Sequence, residues 1–151
     1  MIEIRKGIEQ DVERIMELGN AYYNESAFSS MEFNESKCRD LFFHLLQYGF
    51  AVVADDGGKL VGMMGAILNK HFFTDTLMAQ DVLVYVSPEY RCQGLSRRLI
   101  TVYINWAISQ GVKRDNIFLG VDSGINRSIT EEVYNNLGFK RFGTSMRLQE
   151  V

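Results

Sequence analysis

An α+β fold around a mixed sheet is predicted by three features of the 151-residue chain. Apolar residues recur at helical spacing in separated stretches, short apolar runs bounded by turn residues lie between them, and hairpins alternate with crossover connections. Taken in order the elements read β-α-α-β-β-β-α-β-α-β-β, one domain over residues 1–151 without repeats or linker-like stretches.

Ile2 and Ile4 alternate with charged residues and read as a short strand. From Ile8 onward Val12, Ile15, Met16, Leu18 and Tyr22 fall on one helical face, predicting a helix that ends near Tyr23. Residues 24–33 read as an irregular connection. Asn34 is a natural cap for a second helix from about Glu35, with Cys38, Leu41, Phe42, Leu45 and Leu46 turned inward. Phe50 to Ala54 and Leu60 to Leu68 flank Asp55-Asp56-Gly57-Gly58, the pattern of a hairpin. Asn69 to Thr76 is an exposed loop carrying His71, Phe72 and Phe73. Leu77 to Val86 is apolar at nearly every position past Asp81, which places it in the middle of the sheet. Leu95, Leu99, Val102, Tyr103 and Trp106 form the stripe of a third helix that opens at Gly94 and stops at Gly111. Ile117 to Val121 reads as a strand. Ser128-Ile129-Thr130-Glu131 fits a capping box and starts a helix ending by Gly138. Phe139 to Phe142 and Thr144 to Leu148 close the sequence as strands.

Composition sets bounds on function. Apolar residues make up 46% and charged residues 23%, values of an ordinary globular domain able to bury a core without staples. Two cysteines cannot build a disulfide framework and point to a reducing compartment. No apolar run is long enough to span a membrane and the N-terminus lacks a signal-peptide pattern, so the expected address is the cytoplasm. A net charge of −3 argues against nucleic-acid binding, which rests on phosphate neutralisation. Residues 91–114 contrast with the rest: Arg91, Arg97, Arg98, Lys113 and Arg114 stand there without any acid. Such a segment is either a solvated helix face or a local site for a multiply charged small anion.

The stretch from Val86 to Arg98 makes the second reading concrete. The chain's single proline, Pro88, ends a strand, and a glycine-containing turn leads directly into a helix whose first amides lack internal partners. Gly94 and the small Ser96 let a ligand approach those amides, and the arginines add charge, so the turn can cradle a diphosphate. It lacks the glycine spacing of a Walker loop or a dinucleotide fingerprint, and by itself it reads equally as a tight structural turn.

Val86, Pro88, Arg91 and Gly94 resemble motif A of the GNAT superfamily of N-acetyltransferases, V-x-P-x-x-[RQ]-x-x-G-x-[GA], with Ser96 where glycine or alanine is usual. Tyr134, Gly138 and Phe139 resemble its motif B, Y-x-x-x-G-F. The resemblance implies a three-layer fold, with a mostly antiparallel sheet of about seven strands and helices on both faces. One strand pair splays between Val84–Val86 and Leu119–Val121. The implied cosubstrate is acetyl-CoA, its pyrophosphate held by the turn at Cys92, Gly94, Ser96 and Arg97, with Arg91, Gln93 and Leu95 alongside. Its pantetheine and acetyl carbonyl would meet main-chain groups of Val84 and Val86. No metal is implied, and His44 and His71 are too isolated to hold one.

The same resemblance assigns Tyr134 as the acid that protonates the departing thiolate, against packing of the last helix as the alternative. The family's usual glutamate base falls on Gln80, which cannot serve. Asp81, next to it, would point to the opposite face of the strand unless a bulge intervenes, so it is either the base or a structural or orienting carboxylate, and proton loss through water without a dedicated base stays open. Asn126 lies one residue too far from Tyr134 for the family's asparagine and reads better as a turn residue. Around the expected acceptor side, Tyr22, Tyr23, Glu25, Phe28, Glu32, Phe33 and the His71–Phe73 loop make an aromatic, acidic surface suited to a primary amine, whether small molecule, protein lysine or N-terminus. Exposed aromatics also keep a homodimer open. Two functions follow: an acetyl-CoA-dependent N-acetyltransferase, or a module of this fold that binds CoA or a protein without turnover.

Overall fold

The computed structural model describes residues 1–150. Five strands form one sheet in the order β1-β2-β3-β4-β5: β1 (Glu3–Lys6), β2 (Phe50–Asp56), β3 (Lys59–Asn69), β4 (Met78–Val86) and β5 (Ile117–Phe118). The first four pair antiparallel in sequence order, and β5 lies parallel to β4. The helices are α1 (Val12–Glu25), α2 (Glu35–Tyr48), α3 (Leu95–Ser109) and α4 (Arg127–Asn136).

Two cores sandwich the sheet. Ile15 and Leu18 of α1 and Phe42 and Leu45 of α2 pack with Ala51, Val53, Leu60, Met63 and Tyr85 on one face. On the other, Leu95, Leu99, Ile100, Tyr103 and Ala107 of α3, with Tyr134 of α4, meet Val52, Ala54, Val61, Met64, Ala79 and Val86. The alternation of Val52 and Val53, or Met63 and Met64, between the cores is the two-residue period of a strand covered on both sides. The expected three layers are therefore present.

Helix starts follow local chemistry. Asn34 Oδ1 accepts the Lys37 N–H at 2.9 Å and caps α2, as its sequence position suggests. Before α1 the chain makes a 3-10 turn over Glu9–Asp11. There the buried Asp11 carboxylate takes two bonds from the Arg5 guanidinium, both 2.8 Å, and one from the Ile8 N–H. That ion pair ties α1 to β1.

Four expectations need correction. The sheet has five strands among the described residues, not about seven: residues 139–148 form no strand. Their apolar side chains, Phe142, Met146 and Leu148, are exposed. β5 ends at Phe118 instead of Val121. The middle strand is β3, fully buried from Leu60 to Ala66, while Gln80 to Val84 of β4 are only half-buried. Finally, α4 begins at Arg127 behind a left-handed Asn126, so Ser128 sits inside the helix instead of capping it.

Candidate active site

β4 ends at Val86, and the Ser87 N–H bonds to the Val61 carbonyl at 2.9 Å, which closes the sheet edge there. Pro88 then starts a 3-10 turn through Tyr90. Arg91 N–H reaches the Pro88 carbonyl at 3.3 Å, and the next backbone bond formed in the direction of α3 is from Arg98 N–H to the Gly94 carbonyl at 3.1 Å. Between them the amides of Cys92, Gln93, Gly94, Leu95, Ser96 and Arg97 have no backbone acceptor among the described residues. No side chain caps α3 and no acid stands in its first turn. Two left-handed residues shape this turn: Cys92 at φ 64° and Gly94 at φ 76°. A Cβ built on Gly94 would meet nothing within 4 Å. These amides without backbone acceptors stand at the positive end of a 15-residue helix, the electrostatics that favour a diphosphate.

The side chains around the turn are less uniform than their charges suggest. Leu95 is buried in the α3 core and Ser96 is half-buried. Gln93 donates to the Glu89 carbonyl at 3.3 Å. Arg98 donates to the Ile2 carbonyl at 2.8 Å, just ahead of the edge strand β1. Arg91 points back under β4: its Nε donates to the Val86 carbonyl at 2.9 Å, and its Nη2 donates to both Glu25 oxygens at 2.9 and 3.0 Å. Arg97 is exposed and enters no ion pair among the described residues. Among the described residues Arg97 and Arg98 thus keep uncompensated charge beside the turn's amides, while Arg91 is paired with Glu25.

Beside β4 the sheet opens. β5 pairs only Ile117 with Ala79 and Phe118 with Gln80, so β4 from Asp81 onward has no strand neighbour on that side. The register between β3 and β4 shifts there: Ala66 faces Asp81, but Gly65 faces Leu83. Val82 is therefore the extra residue of a bulge, and Val82 and Leu83 consecutively join the α1/α2 core. The bulge falls after Asp81, so Asp81, opposite Ala66 of the α3/α4 core, still faces away from Gln80, which lies opposite Ile67.

Asp81 pins the crotch of the opening. Its Oδ1 accepts the Gly120 N–H and the Gln80 Nε2–H, each at 2.8 Å. Gly120 is thereby held just past the end of β5, and a Cβ on it would come within 3.7 Å of Asp81 Oδ1 and 3.5 Å of Asp122 Oδ1. Burial pushes the Asp81 carboxyl up to about 6, against the lowering effect of its two donors and with a further push from Asp122. Tyr134 lies in the α3/α4 core, 6% exposed. Its phenol is held well above the ordinary value, first by burial and then by the negative charge of Asp81, without any hydrogen bond to the protein. Since the described residues leave no fully occluded polar side-chain atom unpaired, the Tyr134 hydroxyl is not completely sealed from solvent. Tyr22 shares the neighbourhood: burial, Asp122 and Asp81 raise its phenol in that order.

On the acceptor side, Tyr22 sits edge-on to Tyr85 with ring centroids 6.0 Å apart. Tyr23 packs on Phe33 at 5.0 Å and donates to the Ser29 carbonyl at 2.8 Å. The Ala27 N–H bonds the Ser123 carbonyl at 2.7 Å, bringing the segment after α1 against the segment after β5. His71, Phe72 and Phe73 instead cluster before β4 begins, a strand length of roughly 25 Å from the turn that follows it. Among the described residues no group of three metal-ligating side chains exists, and no helix is long and apolar enough to cross a membrane. Sequence reading missed the Glu25–Tyr85–Arg91 cluster, Gly120 and Asp122. Glu25 lies 60 and 66 residues from its partners, a distance no local pattern encodes.

The model of the acetyltransferase (GNAT) family matches residues 12–139. Solved structures share the whole fold at low identity. AAC(6')-Iy bound to the bisubstrate analog CoA-S-monomethyl-acetylneamine has 15% identity and a TM-score of 0.75, covering 100% of this chain and 99% of that one. An acetyltransferase from Trypanosoma brucei has 20% identity and a TM-score of 0.74, with 99% and 100% covered. A protein described as a transcriptional regulator from Bacillus halodurans C-125 has 19% identity and a TM-score of 0.78, with 99% and 100% covered. No curated protein matches the chain.

Proposed function

The chain belongs to the acetyltransferase (GNAT) family, and from that premise we propose that it transfers an acetyl group from acetyl-CoA to a primary amine by direct attack. The observation that carries this reading is the run of unpaired amides from Cys92 to Arg97, set at the end of a strand whose next neighbour peels away. The amides of Cys92, Gly94, Ser96 and Arg97, with Gln93 and Leu95 fixing the turn, bind the pyrophosphate, and Arg97 adds its charge. Val84 and Val86 line the opening where main-chain groups hold the pantetheine arm. Arg91 serves the cofactor indirectly, by anchoring the turn.

Acetyl-CoA supplies the acetyl group as an activated thioester. A backbone N–H in the Val84–Val86 stretch stabilises charge developing on the carbonyl oxygen, usually a large catalytic term. Asp81 takes the proton that the attacking amine must lose; its carboxyl near 6 is ionised at neutral pH yet basic enough to accept. Tyr134, kept protonated by its surroundings, gives its O–H proton to the sulfur as the C–S bond breaks and recovers one from solvent. Asp81 and Asp122 are the uncompensated carboxylates near the opening, since Arg91 neutralises Glu25. A cationic amine is therefore favoured. AAC(6')-Iy, bound to an acetylneamine analog, makes a small polyamine the first acceptor to test, with a lysine peptide and a free N-terminus beside it.

A binding module without turnover is favoured by one observation: Asp81 already accepts two protein donors, as a purely structural residue would. Calorimetry with acetyl-CoA, followed by thiol release with the amine panel, separates the readings. Binding with release on at least one amine supports the enzyme, and binding with none supports the module.

A further inference from the structure

The turn that presents its amides holds a non-glycine residue, Cys92, in the left-handed region at φ 64°. Such a conformation persists only where the surroundings over-determine it. Beside Cys92 stands a clasp centred on Arg91, the residue before it. The Arg91 guanidinium bridges the Val86 carbonyl and the Glu25 carboxylate at 2.9 to 3.0 Å and lies 5.4 Å from the Tyr85 ring centroid. The Tyr85 hydroxyl donates to Oε1 of the same Glu25 carboxylate. Side-chain exposures of 24% for Arg91 and 31% for Glu25 place the pair where water screens it only partly. Glu25 is the last residue of α1, and the segment after it meets Ser123.

We propose that Glu25 is a positioning residue for cofactor binding: through Arg91 it holds the Cys92–Arg97 turn in its amide-presenting form, and so ties the end of α1 on the acceptor side to the diphosphate cradle. This rests on the reading that the turn binds a CoA diphosphate. With the Glu25 charge removed, the two charge-assisted bonds to Arg91 are reduced to at most one bond to a neutral amide oxygen, beside the Val86 carbonyl and the Tyr85 face. The Arg91–Cys92 peptide can then rotate and take the Cys92 conformation to a commoner basin, turning the first amides of the cradle away.

The test is acetyl-CoA affinity by calorimetry for wild type, Glu25→Gln, Arg91→Met, both together, and Glu25→Gln with Cys92→Gly. Glu25→Gln keeps the shape of the side chain and removes its charge, and melting curves report whether each variant folds. The expected result is about a tenfold weakening in Glu25→Gln, about 1.4 kcal/mol. The double variant with Arg91→Met should be no weaker than the worse single one, because the two act in series. Adding Cys92→Gly should restore most of the affinity, since glycine adopts positive φ without strain. Unchanged affinity in Glu25→Gln overturns the proposal. So does additivity with Arg91→Met, or failure of Cys92→Gly to rescue, either of which would mark a general packing loss. Absence of acetyl-CoA binding by the wild type would instead remove the function proposed for the turn.

Discussion

Replacing Asp81 with asparagine should make the protein more stable at neutral pH and less active. In the folded chain burial lifts this carboxyl from its ordinary 3.8 to about 6. A carboxyl whose folded pKa lies above its unfolded one contributes stability that is complete below about pH 4 and is lost as pH rises through 6. Two pKa units correspond to about 3 kcal/mol at pH 7 and above, an upper figure because Asp81 is only half-buried. Asparagine has nearly the same shape, accepts the Gly120 N–H through Oδ1, and carries no charge to desolvate. Urea unfolding of both proteins from pH 4 to 8 isolates the effect, since the other carboxylates cancel in the difference. The stability of the variant minus that of wild type should rise between about pH 4 and 6 and level off by about pH 7. Turnover should fall on the order of 10²–10⁴-fold, while wild-type kcat/KM rises with an apparent pKa near 6. A difference in stability that does not change with pH would refute the burial argument, and wild-type turnover in the variant would remove Asp81 as the base.

Three further outcomes follow from the same geometry. Gly94→Asp should abolish acetyl-CoA binding in calorimetry. It should cost only about 1 kcal/mol of stability, from its left-handed backbone, because a Cβ there meets open space. Tyr134→Phe should lower kcat on the order of 10²–10⁴-fold without changing acetyl-CoA affinity. Its melting temperature should match wild type, since the hydroxyl has no hydrogen-bond partner in the protein; an unchanged rate would retire it as the acid. Asp11→Ala should destabilise by about 1–3 kcal/mol, because the Ile8 N–H and one arm of Arg5 lose their acceptor. The Asp11 carboxyl is held below its usual value by Arg5, so the wild-type advantage should be present above pH 4 and fade in more acid solution.

What could be read from residue order was whatever a short window determines. The α2 cap at Asn34, the stripe of α3 and the proline-to-glycine turn each depend on neighbours within a helical turn, and all three stand where the pattern puts them. The closing strands fail for a non-local reason. Residues 139–148 alternate well enough for a strand, but a strand needs an edge, and β5 stops after Phe118, where Asp81 takes the Gly120 N–H instead of a ladder partner. The bulge at Val82 was hidden because the strand is apolar at almost every position, so the alternation that would expose a slipped register is missing. The arginines show the same limit within the site. Their positions announced a basic turn, but Arg91 is paired with Glu25 of α1 and Arg98 is tied to the Ile2 carbonyl just ahead of β1, so among the described residues only the Arg97 side chain stands without a protein partner.

Backbone amide chemical shifts during titration with CoA address the diphosphate cradle without relying on any substitution. If the cradle binds as described, the amides of residues 92–97 should move downfield together and saturate at a single dissociation constant, with those of Val84 and Val86 following. Saturable binding that leaves residues 92–97 unmoved and shifts some other surface would contradict it.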